Sequence, residues 1–193
     1  MLAILEALLV FAAIEAYIWR LRYIAGWTWI VILGAMLLSH ALHGETPRTL
    51  GFRMDNFGDA ARRFGPAVAV IASLILLFGA GLHSFRALTN LSYTGSFAVY
   101  LLWGCFQQYT LNSYFGRRIQ VQVVPAALFS AAHYPNFFLV AVTFVLGYAA
   151  TVAYRRQPNI YFLGIAHGVI GFLLYWALPD AVTHHLNVGP GYR

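Results

Sequence analysis

Apolar stretches of membrane-crossing length alternate with short polar joints along almost the whole chain. A bilayer core needs about 20 apolar helical residues to cross it, so these stretches predict spanning helices at about 2–19, 24–42, 65–82, 91–115, 120–133, 137–154 and 159–178. The run at 120–133 is short for a full crossing. Arg20 and Arg22 close the first run, Arg117 and Arg118 the fourth, and Arg155, Arg156 and Pro158 the sixth. The one sizeable polar segment is 43–64. Inside it Asp55, Asp59, Arg62 and Arg63 are interleaved with Phe57, Ala60, Ala61 and Phe64. That pattern suits either a short amphipathic helix lying in the interface or an ordinary polar loop. The expected fold class is all-α: a polytopic integral membrane bundle of about six to eight spanning helices, forming one transmembrane domain over residues 1–193.

Composition agrees with a membrane environment. Of 193 residues, 61% are hydrophobic and 9% charged, where a soluble domain carries about 25% charged residues. The net charge is +6 and every basic residue is an arginine. The arginines sit at segment ends rather than on one stripe, which argues against nucleic acid as a partner and for headgroup contacts. Cys105 stands alone in an apolar segment, so no internal disulfide forms and a small buried hydrophobe is its plain reading. Residues 1–19 lack a basic leader and are interrupted by Glu6 and Glu15, which favours an uncleaved first helix over a signal peptide.

With seven spans, one side receives Arg48, Arg53, Arg62, Arg63, Arg117, Arg118, Arg155 and Arg156, and the other Arg20, Arg22, Arg86 and Arg193. The richer side is expected in the cytoplasm, which puts the N-terminus inside and the C-terminus outside. A re-entrant fifth segment would reverse everything after it.

Three polar clusters interrupt the apolar helices. Gln107-Gln108 lies in the fourth, with Tyr109 and Asn112 beside it. Lipid satisfies none of an amide's donors and acceptors, so these side chains must meet one another, a neighbouring helix or a cavity. Phe129 and His133 are one turn apart in the fifth run, just before Tyr134-Pro135-Asn136. His167 lies in the seventh, flanked by Gly164, Gly168 and Gly171, which allow a backbone or a substrate to come close. Ionisable residues at membrane depth mark functional sites. The plain alternatives are structural histidines with satisfied nitrogens and helix-to-helix amide bonding.

These residues resemble the CPBP family of intramembrane proteases, which includes the type II CaaX prenyl endopeptidases. The family motifs are Glu-Glu-x-x-x-Arg, Phe-x-x-x-His, and His followed four residues later by Asn or a similar polar residue. Phe129 to His133 fits the second motif and His167 the histidine of the third. Leu50-Gly51-Phe52-Arg53 resembles the family's Leu-Gly-Leu-Arg step, and Gly147 through Asn159 to His167 resembles its helix, basic turn and third motif. The resemblance covers about residues 50–175. It implies a conical intramembrane cavity with Gln107, Gln108, Asn112, His133 and His167 directed into it, and a setting in a bacterial inner membrane.

The departures sit at the chemistry. Gln107-Gln108 stands where the family has its glutamate pair, Asn112 where it has arginine, and Gly171 where it has the polar residue. In the family a motif glutamate is thought to activate water while the histidines polarise the carbonyl. A neutral amide takes no proton near pH 7, and general-base catalysis is worth roughly 10²–10⁴-fold. The leading expectation is therefore a diverged CaaX-protease-like protein whose cavity binds a lipid, a prenylated peptide or a transmembrane peptide without cutting it. Its partners would be membrane lipids, a hydrophobic peptide or lipid ligand, and a membrane protein.

Other readings remain beside it. His133 and His167 are candidate ligands of a divalent metal acting on a hydrophobic substrate, and His40 with His43 has a spacing that lets two imidazoles share a metal. His184 and His185 would join them only by folding back. An active endopeptidase would need Glu6, Glu15 or Glu45 as its base. A non-catalytic subunit of a membrane complex needs none.

Overall fold

A computed structural model describes residues 2–87 and 91–192. The long helices are α1 (Leu2–Ile24), α2 (Thr28–Leu42), α3 (Phe57–Gly81) and α4, which begins as Leu91–Gln108. α4 continues through π-helical turns at Tyr109–Phe115 into a last turn, Gly116–Arg118. Then come α5 (Val123–Ala131), α6 (Phe137–Arg156), α7 (Ile160–Ala177) and a short α8 (Asp180–Thr183). No strand occurs among the described residues. The fold is thus a helical membrane bundle: α1, α3, α6 and α7 are each long and apolar enough to cross a bilayer, while α2 is an apolar helix of 15 residues.

Two asparagines start the C-terminal helices. Asn136 Oδ1 accepts from Leu139 N at 3.1 Å and Asn159 Oδ1 from Phe162 N at 2.7 Å. Each satisfies one of the donors that a helix start leaves free.

The segments alternate in direction, and each end of the bundle is tied by polar contacts. At one end Arg118 Nη2 donates to Glu45 Oε2 (2.8 Å), Ile160 N to Gly51 O (2.8 Å), Asn56 Nδ2 to Pro158 O (3.1 Å) and Arg155 Nη2 to Ile119 O (3.2 Å). At the other end Ser84 Oγ donates to Ala177 O (2.6 Å), Asn136 Nδ2 to Thr183 O (2.9 Å), Gly189 N to Tyr134 O (2.9 Å) and Arg22 Nη2 to Val188 O (3.3 Å). The chain between Ile119 and Asn136 therefore passes from one end to the other. α5 contributes nine residues, about 14 Å of helix, and the non-helical stretch 132–136 completes the passage. Irregular backbone at this depth is tolerated where it lines a cavity rather than lipid.

The polar segment departs from both expectations. Its second half is neither a separate interfacial helix nor a loop: α3 starts at Phe57 and runs unbroken through Pro66. Packing explains this. Ala60 is buried, and Phe57 and Phe64 place their rings 6.1 and 6.4 Å from that of Phe162 in α7. The charges of Arg62 and Asp59 face outward and pair with each other.

α4 and α7 are antiparallel, since Phe97 meets Phe172 whereas Gly104 meets Gly164. Glycine sets their separation. A Cβ on Gly168 would lie 2.6 Å from the Tyr100 carbonyl oxygen, and one on Gly104 would lie 2.6 Å from the Gly168 nitrogen. The glycines around His167 thus serve a neighbouring backbone; only Gly171 lies on a cavity wall, against the Tyr100 ring.

Candidate functional site

Between α1 and α2 on one side and α3 to α7 on the other lies a cavity of about 1070 Å³. Its walls are mainly apolar, with Phe11 and Ile14 from α1, Met36 from α2, Ile71 from α3, Leu146 from α6 and Leu163 from α7. Gln107, Gln108, His133 and His167 line it as well. Val99 and Trp103 of α4, also on the wall, are largely exposed, so the cavity is open rather than sealed along α4.

The close approach of α4 and α7 brings residues 108 and 167 together. Gln108 Nε2 donates to His167 Nδ1 at 2.9 Å, and Asn112 Nδ2 donates to Gln108 Oε1 at 2.7 Å. Asn112 is four residues on from Gln108, where its amide meets the one below along the same helix face. This corrects one expectation. Asn112 is not on the cavity wall: it is fully buried behind Gln108, its donor is committed there, and its Oδ1 has no partner. The π-helical turns begin at the very next residue after Gln108. Such wide turns often sit at functional sites.

His133 is held differently. Its Nδ1 donates to the Phe129 carbonyl, 2.8 Å away, one turn back. The Phe129 ring packs edge-on against both histidines, with centroids 4.9 Å from His133 and 6.0 Å from His167. The tautomers follow from these partners. His167 accepts at Nδ1 and carries its proton on Nε2; His133 carries its proton on Nδ1 and has a lone pair at Nε2. The cavity is thus offered one N–H donor and one nitrogen acceptor, both neutral. That pair suits a carbonyl and a hydroxyl, amide or water, and supplies no carboxylate.

The acidic residues raised as substitute bases are elsewhere. Glu45 accepts from His40 Nδ1 (2.6 Å), Arg118 Nη2 (2.8 Å) and Arg117 Nε. Burial alone would raise its carboxyl; the bonds from Arg118, His40 and Arg117 outweigh that and hold it at about 2. Glu6 accepts from Ser39 Oγ (2.9 Å) and faces His43 Nε2 (3.1 Å), and Glu15 accepts from Trp19 Nε1 (3.2 Å). None of the three lines the cavity.

The metal reading also loses its geometry. His40 and His43 turn to different carboxylates, and His185 Nδ1 lies 2.9 Å from Asp180. Among the described residues no three His, Cys, Asp or Glu side chains gather as ligands. His133 and His167 alone fall short of the three protein ligands usual for a catalytic zinc site. One charged wall residue, Arg22, is not among the site residues that the sequence points to, while His185, raised there only as a metal ligand, also reaches the wall. Arg22 closes an apolar run, a position that by itself gives no signal of a cavity.

Residues 101–173 match the family model described as type II CAAX prenyl endopeptidase Rce1-like. No curated protein and no solved structure matches the chain.

Proposed function

We propose, from the premise that this is an Rce1-like protein of the CPBP family with its family core at residues 101–173, that it binds a lipid or lipid-modified peptide in its intramembrane cavity and does not hydrolyse it. The observation that carries this is the Asn112–Gln108–His167 chain of hydrogen bonds. Gln108 stands where the resemblance places a motif glutamate. Its amide satisfies His167 Nδ1, so the histidine needs no charge to be stable. An amide cannot take the proton that a water must lose on attacking a carbonyl, and the loss of such a base costs roughly 10²–10⁴-fold.

Binding needs less. About 1070 Å³ of mainly apolar space is at the upper end of the roughly 300–1,000 Å³ of ordinary ligand sites. The opening along α4 admits a ligand from the bilayer without passage through water. His167 Nε2–H and His133 Nε2 then fix the ligand's one polar linkage, as a few polar groups do in an otherwise apolar pocket.

The test is saturable binding of a fluorescent prenylated peptide to the detergent-solubilised protein, beside His133→Ala and His167→Ala. Tight binding weakened in both variants is expected. Binding that neither variant changes would show that the histidines are structural.

A further inference from the structure

We infer that the cavity takes an anionic membrane lipid, with Arg22 holding its negatively charged headgroup; this rests on the cavity-binding reading above and adds the ligand's charge. Among the described residues, Arg22 is the only Arg, Asp or Glu side chain on the cavity wall. Its Nη2 donates to the Tyr23 hydroxyl (2.5 Å) and to Val188 O (3.3 Å). Its Nε is buried and has no partner. Among the described residues no carboxylate pairs with it, and each Asp and Glu side chain has a partner elsewhere. The guanidinium as a whole is partly exposed at the cavity wall, and a charge removed in part from water gains from a counter-charge. An anion brought by the ligand supplies that counter-charge and a partner for Nε.

The position fits an amphiphile. Arg22 lies in the last turn of α1, at the end of the bundle that holds Tyr134 and Val188, where a headgroup would sit while its chains run into the apolar interior. Trp19, one turn earlier, packs on Tyr134 with centroids 6.2 Å apart, next to His133. The linkage between headgroup and chain would thus fall near the histidine pair.

The C-terminal segment shapes the same end. His185, Leu186 and Val188 line the cavity. His184, His185 and Leu186 are successive non-glycine residues at φ of 48°, 53° and 56°. Left-handed backbone is strained for residues with a side chain, and strain of this kind persists where surrounding contacts enforce it. Here Asn136 Nδ2 grips the Thr183 and Asn187 carbonyls at 2.9 and 3.2 Å, on either side of the strained residues. The result holds Val188 O against Arg22 and fixes the guanidinium at the wall.

The experiment uses the whole protein in nanodiscs and native mass spectrometry. Phosphatidylglycerol and phosphatidylcholine with identical acyl chains compete for the protein. Wild type is expected to retain phosphatidylglycerol at least tenfold over phosphatidylcholine, with the preference falling as salt rises. Arg22→Gln should abolish the preference and Arg22→Lys should keep part of it. Equal retention of both lipids by wild type would overturn the role of Arg22 while leaving the cavity-binding reading intact. Retention of neither would overturn the lipid assignment and leave the prenylated-peptide test to decide the cavity-binding reading. Preference unchanged in Arg22→Gln would assign the charge effect to another surface. The wild-type comparison stands even if a variant fails to fold.

Discussion

Gln108 and His167, 59 residues apart, meet at 2.9 Å, the amide donating to Nδ1 of the imidazole. This contact fixes the histidine as its Nε2–H tautomer. By the same logic the Phe129 carbonyl fixes His133 as the Nδ1–H tautomer. In nitrogen-15 spectra of histidine-labelled protein at neutral pH, the signals assigned to His133 and His167 by their loss in the alanine variants should show one of each. Gln108→Glu should turn His167 into an Nδ1 donor, because a carboxylate can only accept. Two identical tautomers in the wild type would contradict the assignment.

Gln108 joins two partners, so its removal leaves both unsatisfied. Gln108→Leu strands the Asn112 amide and His167 Nδ1 in an apolar surround. Each stranded group costs about 1–3 kcal/mol. The variant should melt well below wild type in detergent, and Gln108→Glu should lose less, since it still accepts from Asn112 Nδ2. Equal melting temperatures for Gln108→Leu and wild type would mean that the bond contributes nothing.

Gly168→Ala tests the α4–α7 approach. The added Cβ would sit 2.6 Å from the Tyr100 carbonyl and 2.7 Å from Leu101 Cα, and backbone cannot swing aside as a side chain can. Overpacking costs typically about 1–3 kcal/mol. Gly34→Ala, which meets nothing within 4 Å, is the control and should be neutral. The measurement is thermal stability together with ligand binding, because separating α4 from α7 also pulls Gln108 from His167.

Glu45 predicts an acid limb. Its carboxyl is held at about 2 against an ordinary 4.5. The folded state therefore prefers the ionised form. Its contribution is full above about pH 4.5 and is lost as pH falls toward about 2. Glu45→Gln should be less stable than wild type at neutral pH, and the gap should narrow on acidification through that window. A gap independent of pH would show that the charge is not what holds Arg117 and Arg118.

Much of this architecture is legible in the sequence, because spanning helices announce themselves by continuous apolarity and by arginines at their ends. The candidate histidines and amides stood out for the opposite reason: polar groups in such runs need a partner. What failed to show was pairing. Nothing in the run Asp55–Phe64 reveals that Phe57 and Phe64 pack on Phe162, and so the start of α3 was placed eight residues late. Asn112 shares a helix face with Gln108 and so is expected on the cavity wall; its bond to Gln108 Oε1, which holds it behind that side chain, leaves no pattern at the level of residue type. Glu45, a candidate base by residue type alone, is enclosed by His40 of α2 and Arg118 of α4, a pairing that no local pattern reveals.

A gain-of-function variant addresses the chemistry. Gln107→Glu with Gln108→Glu restores carboxylates beside His167, and Asn112→Arg adds the family's arginine. The triple variant should cut a prenylated peptide slowly, and His167→Ala should abolish the cutting. No cleavage by the triple variant would mean that the cavity lacks more than the base.

The most direct measurement places binding and cleavage side by side in the unaltered protein. A quenched fluorescent prenylated peptide is reconstituted with wild type in liposomes and followed both for saturable binding and for release of the fluorophore. The account predicts binding that saturates and no cleavage above empty liposomes over hours. Cleavage by wild type that disappears in His167→Ala would contradict it and make the Gln108–His167 pair part of a working hydrolase.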